Sequence, residues 1–197
     1  MTRDYTKLEH GIILGWIPKH SSVLDLGCGD GELLSILTKV KQVHGQGIDI
    51  DEQKIHECVS RGLSVFQQDI DTGLSEYPDK SFNYTILNQS LQQVKKPGFV
   101  LKEAMRVAEK TIVGFPNFCY WDTRFKIFFG GRVPVTPALP YQWYDTPNLH
   151  FLSILDFIEF CNKRSIKIEN SAFIRKNRMV RIFPNLFGEI GIFQLSR

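Results

Sequence analysis

From residue 23 onward, short apolar runs alternate with segments whose apolar residues recur at helical spacing. Leu33, Ile36, Leu37 and Val40, for example, follow the i, i+3, i+4, i+7 spacing of an amphipathic helix. Seven runs are predicted to be strands, over residues 23–26, 45–50, 63–67, 82–87 and 111–115 and near 166–174 and 189–195. Because strands and helices alternate, the pattern predicts an α/β fold built on an open, doubly wound, mostly parallel sheet.

The predicted helices carry recognisable signals at their ends. One helix is expected to stop at Gly62, with Ile55, Cys58 and Val59 facing the core. Pro97 suits the first position of the next helix, where its missing N–H costs nothing. A further helix is predicted over Ile154–Lys163.

The alternation breaks after the fifth predicted strand. Residues 118–150 follow no regular period and hold 9 of the 24 aromatic residues together with four prolines. A loop of this length in a compact domain is usually functional or disordered, and this composition argues against disorder. We therefore predict an aromatic-rich insertion that folds as a lid over the strand ends, within a single domain spanning residues 1–197.

Composition excludes several classes of function. The chain of 197 residues is 43% apolar and carries a net charge of +3, which gives no global electrostatic reason to expect a nucleic acid or membrane partner. No segment approaches the roughly 20 apolar residues of a membrane span. The N-terminal sequence shows no signal-peptide cleavage pattern, so a cytoplasmic protein is expected.

The four cysteines are predicted to be reduced thiols. Cys28, Cys58, Cys119 and Cys161 form no CxxC pair, so a zinc cluster or a redox dithiol has little support. Free cysteine is usually a small buried apolar side chain, and we assign no metal site.

The chemistry of the chain is expected at the carboxyl end of the first predicted strand. Ligands in open α/β sheets bind beyond the carboxyl ends of the strands, where the strand order reverses. The sequence there is VLDLGCGDGELL (23–34), in which Gly27, Gly29 and Gly31 permit a tight turn and close approach of a ligand. The helix that follows offers unpaired N–H groups to a negative group. A glycine turn alone is weak evidence.

Acidic residues at the ends of the next two strands strengthen this prediction. Asp49 lies 18 residues after Gly31, close to the spacing of a ribose-binding carboxylate, and Asp69 ends the third strand. Glu32 occupies the last glycine position of the dinucleotide fingerprint, so the pattern favours a nucleoside ligand without pyrophosphate. S-adenosylmethionine fits this pattern. The alternative is that these carboxylates, with Asp25, only cap helices and turns.

On these motifs the chain resembles the class I S-adenosylmethionine-dependent methyltransferases, and specifically the methionine biosynthesis protein MetW family. The likeness covers essentially the whole chain. Five segments carry the likeness. The first is shared by very many methyltransferases, whereas the last three are far more specific. The segments are VLDLGCGDGELL (23–34), RGLSVFQQDIDTGL (61–74), LNQSLQQVKKPGFVLKEAMRV (87–107), FPNFCYWDTR (115–124) and LPYQWYDTPNLHF (139–151).

The resemblance implies a Rossmann-like fold with a seven-stranded sheet. It also places S-adenosylmethionine, or S-adenosylhomocysteine as product or bound ligand, on nine residues. These are Asp25, Gly27, Cys28 and Gly29, Asp49 with Ile50, Asp69 with Ile70, and Asn88 just after the fourth strand. The chain departs from the pattern of the class at Phe82-Asn83, because many members carry Asp in the short motif just before the fourth strand.

The resemblance further implies a role in methionine synthesis from homoserine, beside a homoserine O-acyltransferase. It does not identify a methyl acceptor, and we assign no catalytic residue. Three hypotheses follow: a methyltransferase that acts with the acyltransferase, a non-catalytic subunit that senses the cofactor and regulates the acyltransferase, and a stand-alone small-molecule methyltransferase.

Two further segments are candidates for contact with an acceptor or a partner. In and beside the insertion these candidates are Asn117, Tyr120, Trp121, Tyr144, Asp145 and His150. The alternative is that the aromatic residues form a satellite core and that His150 is structural. RKNRMVR (175–181) places four cations in seven residues, which predicts a solvated loop near the sheet edge or, alternatively, an anion or partner contact.

Overall fold

The computed structural model describes residues 6–197, and the side chain of Thr6 lies outside the description. Helices and strands alternate as the sequence predicts. The helices are α1 (Thr6–Trp16), α2 (Glu32–Lys41), α3 (Glu52–Ser60), α4 (Pro97–Val107), α5 (Trp121–Gly130), α6 (Ile154–Lys163) and α7 (Pro184–Phe187). The strands are β1 (Ser22–Leu26), β2 (His44–Asp49), β3 (Ser64–Gln67), β4 (Phe82–Asn88), β5 (Ala108–Pro116), β6 (Lys167–Arg175), β7 (Arg178–Met179) and β8 (Ile190–Ser196).

Within residues 6–197, all strands join one sheet in the order β3-β2-β1-β4-β5-β8-β6-β7. Strands β1 to β5 are parallel, and β8 runs antiparallel between β5 and β6. The order reverses between β1 and β4, which places the expected crevice at their carboxyl ends. The prediction of a doubly wound, mostly parallel α/β sheet is confirmed.

The sheet has eight strands rather than the seven predicted. The additional strand, β7, lies within the basic run that was predicted to be a loop and pairs antiparallel with the end of β6. Lys176 and Asn177 both have positive φ, 43° and 59°, at the turn between the two strands. Two successive residues of positive φ match the twist of a two-residue hairpin, so the run reverses direction and pairs at the sheet edge.

Hydrophobic clusters cover both faces of the sheet. Leu24 and Leu26 of β1 pack into one cluster with α4 and α6, whereas Val23 packs into the other with α1 and α2. A strand buried on both faces reads as a continuous apolar run, which is why β1 was recognisable in the sequence.

Three details differ from the sequence-based expectations. Val40 and Val59 were placed on inward helical faces, yet both are exposed at the ends of α2 and α3. Residues 118–150 are not irregular throughout, because they contain α5. The helix α1, at the other end of the chain, was not predicted. No described helix is long and apolar enough to cross a membrane.

Candidate ligand-binding site

The turn between β1 and α2 is held by glycine for two different reasons. Gly27, Gly29 and Gly31 all have positive φ, at 79°, 57° and 74°, a region that disfavours a side chain. A Cβ on Gly27 would also lie 2.6 Å from the Cβ of Ser90. Gly29, in contrast, faces open space. The turn is therefore packed against Ser90, which follows β4, at Gly27 and is open toward a ligand at Gly29.

Asp49, at the end of β2, fastens this turn. Its Oδ2 accepts a hydrogen bond of 2.7 Å from the N–H of Gly29, and its Oδ1 accepts one of 3.0 Å from the N–H of Asp51. Each carboxylate oxygen retains a second acceptor site. Asp49 can therefore fix the glycine turn and accept a further hydrogen bond from a ligand hydroxyl.

Asp25 is buried at the centre of the site, in β1. Burial raises its pKa to about 7, and the nearby charge of Asp49 adds to the increase. A carboxyl group with this pKa changes its charge near neutral pH. A cation placed beside it would favour the ionised form.

Asp69 follows β3 and caps a 3₁₀ turn over Ile70–Thr72. Its Oδ1 accepts a hydrogen bond of 2.9 Å from the N–H of Asp71, while the carboxylate of Asp71 accepts bonds from the backbone N–H groups of Lys95 and Lys96. The capping role considered for Asp69 is present, and it orients the carboxyl group at the sheet edge.

These residues surround one cavity of about 690 Å³ at the carboxyl ends of β1 and β4. All nine residues predicted to bind the cofactor line it: Asp25, Gly27, Cys28, Gly29, Asp49, Ile50, Asp69, Ile70 and Asn88. The lining is strongly acidic, with seven carboxylates and two lysines. The carboxylates are Glu9, Asp25, Asp30, Glu32, Asp49, Asp69 and Asp71, and the lysines are Lys54 and Lys95. This charge distribution suits a ligand that carries a positive charge.

The helix α1 contributes two lining residues that sequence reasoning missed. Glu9 is buried and accepts a hydrogen bond of 2.8 Å from Nε2 of Gln89, beyond β4. His10 is buried next to Glu9 in the sequence. Burial lowers the pKa of His10, and this effect outweighs the charges of Glu32 and Asp30, which raise it. Glu9 and Gln89 are separated by 80 positions, so no local pattern could reveal this contact.

Asn88 lies where β4 meets the cavity. Its Oδ1 is buried without a hydrogen-bond partner and sits so close to Gly114 of β5 that any side chain there would collide with it. Cys28 also lines the cavity. Burial raises the pKa of its thiol, and the nearby charge of Asp25 raises it further. The thiol is thus protonated and contributes packing rather than a nucleophile.

The six predicted acceptor or partner residues lie apart from this cavity. Buried Asn117 donates through Nδ2 to the carbonyl oxygens of Asn185, at 3.0 Å, and Gly188, at 2.8 Å. Tyr120 is buried and Trp121 half-buried, whereas Tyr144 is exposed.

The remaining candidates are also outside the cavity. Asp145 is exposed, and His150 lines a separate apolar cavity beside α4 and α6. The insertion reaches the main cavity instead through Tyr141 and Pro147. Contact of the six residues with an acceptor or a partner stays a prediction.

The four cysteines are free thiols. Cys58 donates through Sγ to the carbonyl oxygen of Gly29 at 3.2 Å, which gives it a structural role under the glycine turn. Within residues 6–197, no group of three or more His, Cys, Asp or Glu side chains is placed to hold a metal ion.

A doubly wound sheet with a glycine turn after β1 and acidic residues after β2 and β3 defines the class I methyltransferase fold. The fold is similar to that of a SAM dependent methyltransferase from Archaeoglobus fulgidus, with a TM-score of 0.74 at 15% identity, covering 100% of this chain and 95% of that chain. A SAM dependent methyltransferase from Aquifex aeolicus gives a TM-score of 0.65 at 14% identity, covering 98% of this chain and 90% of that one.

Within this class, the chain belongs to the family of the methionine biosynthesis protein MetW, whose sequence model matches residues 7–195. It is 33% identical over 182 residues to the bifunctional methionine biosynthesis protein MetXA/MetW of Rhodopirellula baltica. The match covers 88% of this chain but 29% of that relative, so the chain spans less than a third of the length of the relative.

Proposed function

We propose that the acidic cavity binds S-adenosylmethionine and that the protein acts in methionine biosynthesis together with a homoserine O-acyltransferase. The observation that carries the proposal is the convergence of three separate stretches, near residues 27, 49 and 69, around one cavity. The volume of about 690 Å³ lies within the range of small-molecule sites.

The lining residues fit the parts of this cofactor. Asp49 has free acceptor capacity for ribose hydroxyls, and Asp69 for the amine of adenine. Ile50 is exposed directly after β2 and offers an apolar surface to the adenine ring. The open space at Gly29 leaves room for the amino-acid part at the start of α2, where unpaired N–H groups favour its carboxylate.

The surrounding carboxylates match the charge of the cofactor. S-adenosylmethionine carries a sulfonium, an ammonium and a carboxylate, hence a net charge of about +1 at neutral pH. The cofactor would supply an activated methyl group in this site. The protein itself has to hold an acceptor in line and exclude water. Tyr141 and Pro147 of the insertion line the cavity together with Glu9 and His10 of α1, so both segments are available to exclude water.

The partnership with an acyltransferase is supported by the relative from Rhodopirellula baltica. The name of that protein joins MetXA and MetW in one bifunctional chain, and we take MetXA to be the acyltransferase that the family resemblance implies. A covalent link keeps two domains at high effective concentration. We infer that the present chain acts on or with an equivalent acyltransferase, as a methyltransferase or as a subunit that responds to the cofactor.

Calorimetry with purified protein tests cofactor binding. We expect a dissociation constant in the micromolar range or below, weakened at least tenfold in Asp49→Ala. Glu109→Ala is the matched control, because it removes an exposed carboxylate at the opposite, amino end of β5. Equal affinity for S-adenosylmethionine in the unaltered chain, Asp49→Ala and Glu109→Ala would refute the assignment of the cofactor to this cavity.

A second assay separates the roles. Incubation with methyl-labelled cofactor, with and without the acyltransferase, is followed by mass spectrometry. Formation of S-adenosylhomocysteine and a methylated product identifies an enzyme. Activation of the acyltransferase without consumption of the cofactor identifies a regulatory subunit.

A further inference from the structure

An exposed apolar surface lies on the side of the molecule formed by α5 and the segment around α7. We call it the α5–α7 face and define it by residues 121–132 and 175–187. On α5, Phe128 is 82% exposed and its neighbours Phe125 and Phe129 are exposed as well. Before α7, Ile182 and Phe183 project, the latter with 70% of its surface exposed. Monomeric proteins rarely expose a contiguous group of large apolar side chains.

The two segments form one continuous surface. The Trp121 and Phe125 rings are in contact at 5.8 Å between centroids, and the row continues to Phe129 at 5.4 Å. The guanidinium of Arg175 lies 5.7 Å from the centroid of Trp121. Arg124 donates to the carbonyl oxygen of Asn185 at 3.5 Å, which joins α5 to α7.

Cations border the apolar residues of this face. Its two segments hold seven basic residues and one acidic residue, although the whole chain has 24 basic and 21 acidic residues. The basic residues are Arg124, Lys126, Arg132, Arg175, Lys176, Arg178 and Arg181. The acidic residue, Asp122, is paired with Lys126 at 2.8 Å. The remaining cations set the sign of the potential around the aromatic residues.

This composition favours a protein partner. Protein interfaces are enriched in aromatic residues, Met and Arg and depleted in Lys. The cations of the face comprise five arginines and two lysines, and Met179 is exposed among them. Complementarity requires the partner to present an apolar recess with carboxylates around it.

We propose that the α5–α7 face is the docking surface for the acyltransferase, through an apolar recess of that protein bordered by Asp and Glu side chains. This inference rests on the partnership stated under Proposed function and adds its location and chemistry. The basic run at 175–181 thereby has a partner-contact role in addition to the hairpin that it forms at the sheet edge.

Two pairs of substitutions test the face, with one matched control. Phe128→Ser with Phe129→Ser removes apolar anchors from an exposed helix surface, and Arg178→Glu with Arg181→Glu reverses the charge. Lys19→Glu with Lys80→Glu makes the same change of charge on two exposed lysines that precede the central strands β1 and β4, outside both segments of the face. Each variant of the 197-residue chain is assayed for affinity to the purified acyltransferase and, separately, to S-adenosylmethionine.

We expect both α5–α7 variants to bind the acyltransferase at least tenfold more weakly than the unaltered chain, with the affinity for S-adenosylmethionine unchanged and the control unaffected in both assays. Undiminished binding of the acyltransferase by these variants overturns the location while leaving the partnership intact. Absence of binding by the unaltered chain overturns the partnership and the location together. If the unaltered chain binds the acyltransferase but not S-adenosylmethionine, the cofactor proposal is overturned. Weaker binding of the acyltransferase by the α5–α7 variants then still supports the face as the docking surface.

Two competing occupants are outcomes of the same experiment. Self-association of the chain in sedimentation, abolished by the α5–α7 substitutions, overturns the proposal in favour of a second copy. Binding of anionic phosphatidylglycerol vesicles by the unaltered chain but not by these variants, without binding of the acyltransferase, overturns it in favour of a membrane surface.

Discussion

The carboxylate of Asp49 accepts a hydrogen bond of 2.7 Å from the backbone N–H of Gly29, 20 positions earlier in the chain. A residue at the end of β2 therefore fixes the turn that follows β1, before any ligand arrives. The acid that is expected to hold ribose also maintains the shape of the cavity. Its substitution is expected to affect stability as well as binding.

Asp49→Ala is expected to destabilise the ligand-free protein by about 1–3 kcal/mol, because the N–H of Gly29 loses a charge-assisted acceptor. Asp49→Asn keeps one acceptor oxygen and should lose less. Urea unfolding without ligand measures both changes. Equal stability of Asp49→Ala and the unaltered chain would show that water replaces the carboxylate at no cost.

Asp25 makes stability depend on pH. Its pKa is about 7 in the folded protein and about 3.9 in an unfolded chain. At pH values between these two pKa values, Asp25 therefore takes up a proton when the chain folds. The contribution of Asp25 to stability is fully present below pH 4 and is lost as pH rises to about 7, at no more than about 1.4 kcal/mol per pH unit.

Asp25→Asn cannot ionise and should lack this decline. Urea unfolding of both proteins from pH 5 to pH 8 measures the difference between their stabilities, in which the other titrating groups largely cancel. Parallel curves would mean that Asp25 does not change charge in this range.

The acidic cavity should discriminate between the charged cofactor and its product. S-adenosylhomocysteine lacks the sulfonium and has no net charge at neutral pH, so the carboxylates attract it less. We expect S-adenosylmethionine to bind at least about threefold more tightly at low salt, with the ratio falling as ionic strength rises. Calorimetry at several salt concentrations measures the ratio, and tighter binding of the product would contradict the electrostatic argument.

The glycine turn permits a comparison between two positions of similar φ. Gly29→Ala introduces only the cost of a left-handed conformation, about 1–2 kcal/mol. Gly27→Ala carries that cost and a collision, since its Cβ would lie 2.6 Å from the Cβ of Ser90. Gly27→Ala should therefore unfold at lower urea concentration than Gly29→Ala, and the reverse order would show that the turn shifts easily at Gly27.

Asn117 connects β5 to the segment around α7. Its amide donates to the carbonyl oxygens of Asn185 and Gly188, and its Oδ1 accepts from the N–H of Cys119 at 3.2 Å. Asn117→Ala leaves the buried carbonyl oxygen of Gly188 and two partly buried groups without this partner, at a cost of about 1–3 kcal/mol. Limited proteolysis should cleave residues 118–150 faster in this variant, with little change in affinity for S-adenosylmethionine. An unchanged rate of cleavage would show that contacts other than those of Asn117 hold residues 118–150 in place.

The predictable parts of this protein are those specified locally. Strands β1, β4 and β5 are largely apolar because they are buried in the sheet. The glycine turn marks the carboxyl end of β1, and acidic residues mark those of β2 and β3. The convergence of Asp25, Asp49 and Asp69 then follows from the rule that parallel strands present their carboxyl ends on one edge.

The missed parts depend on contacts between distant segments. Gly11 and Gly15 weaken the helical signal of α1, and the contact of Glu9 with Gln89 joins residues 80 positions apart. Helix α5 exposes its phenylalanines, so it has no apolar face opposed by a polar one and its periodicity is weak. The pairing of β7 depends on positive φ at both Lys176 and Asn177. Asn favours such a turn, but Lys before it does not, so the local signal is weak.

The position of β8 constrains the order in which the chain can assemble. Because β8 lies between β5 and β6 and is made after both, those two strands cannot be joined in the sheet while β8 is still inside the ribosome. Until then β5 presents an unpaired edge, which is the kind of surface that recruits other chains. The nascent chain therefore exposes an aggregation-prone strand edge until β8 has emerged, although most of the core of this domain is already present by then.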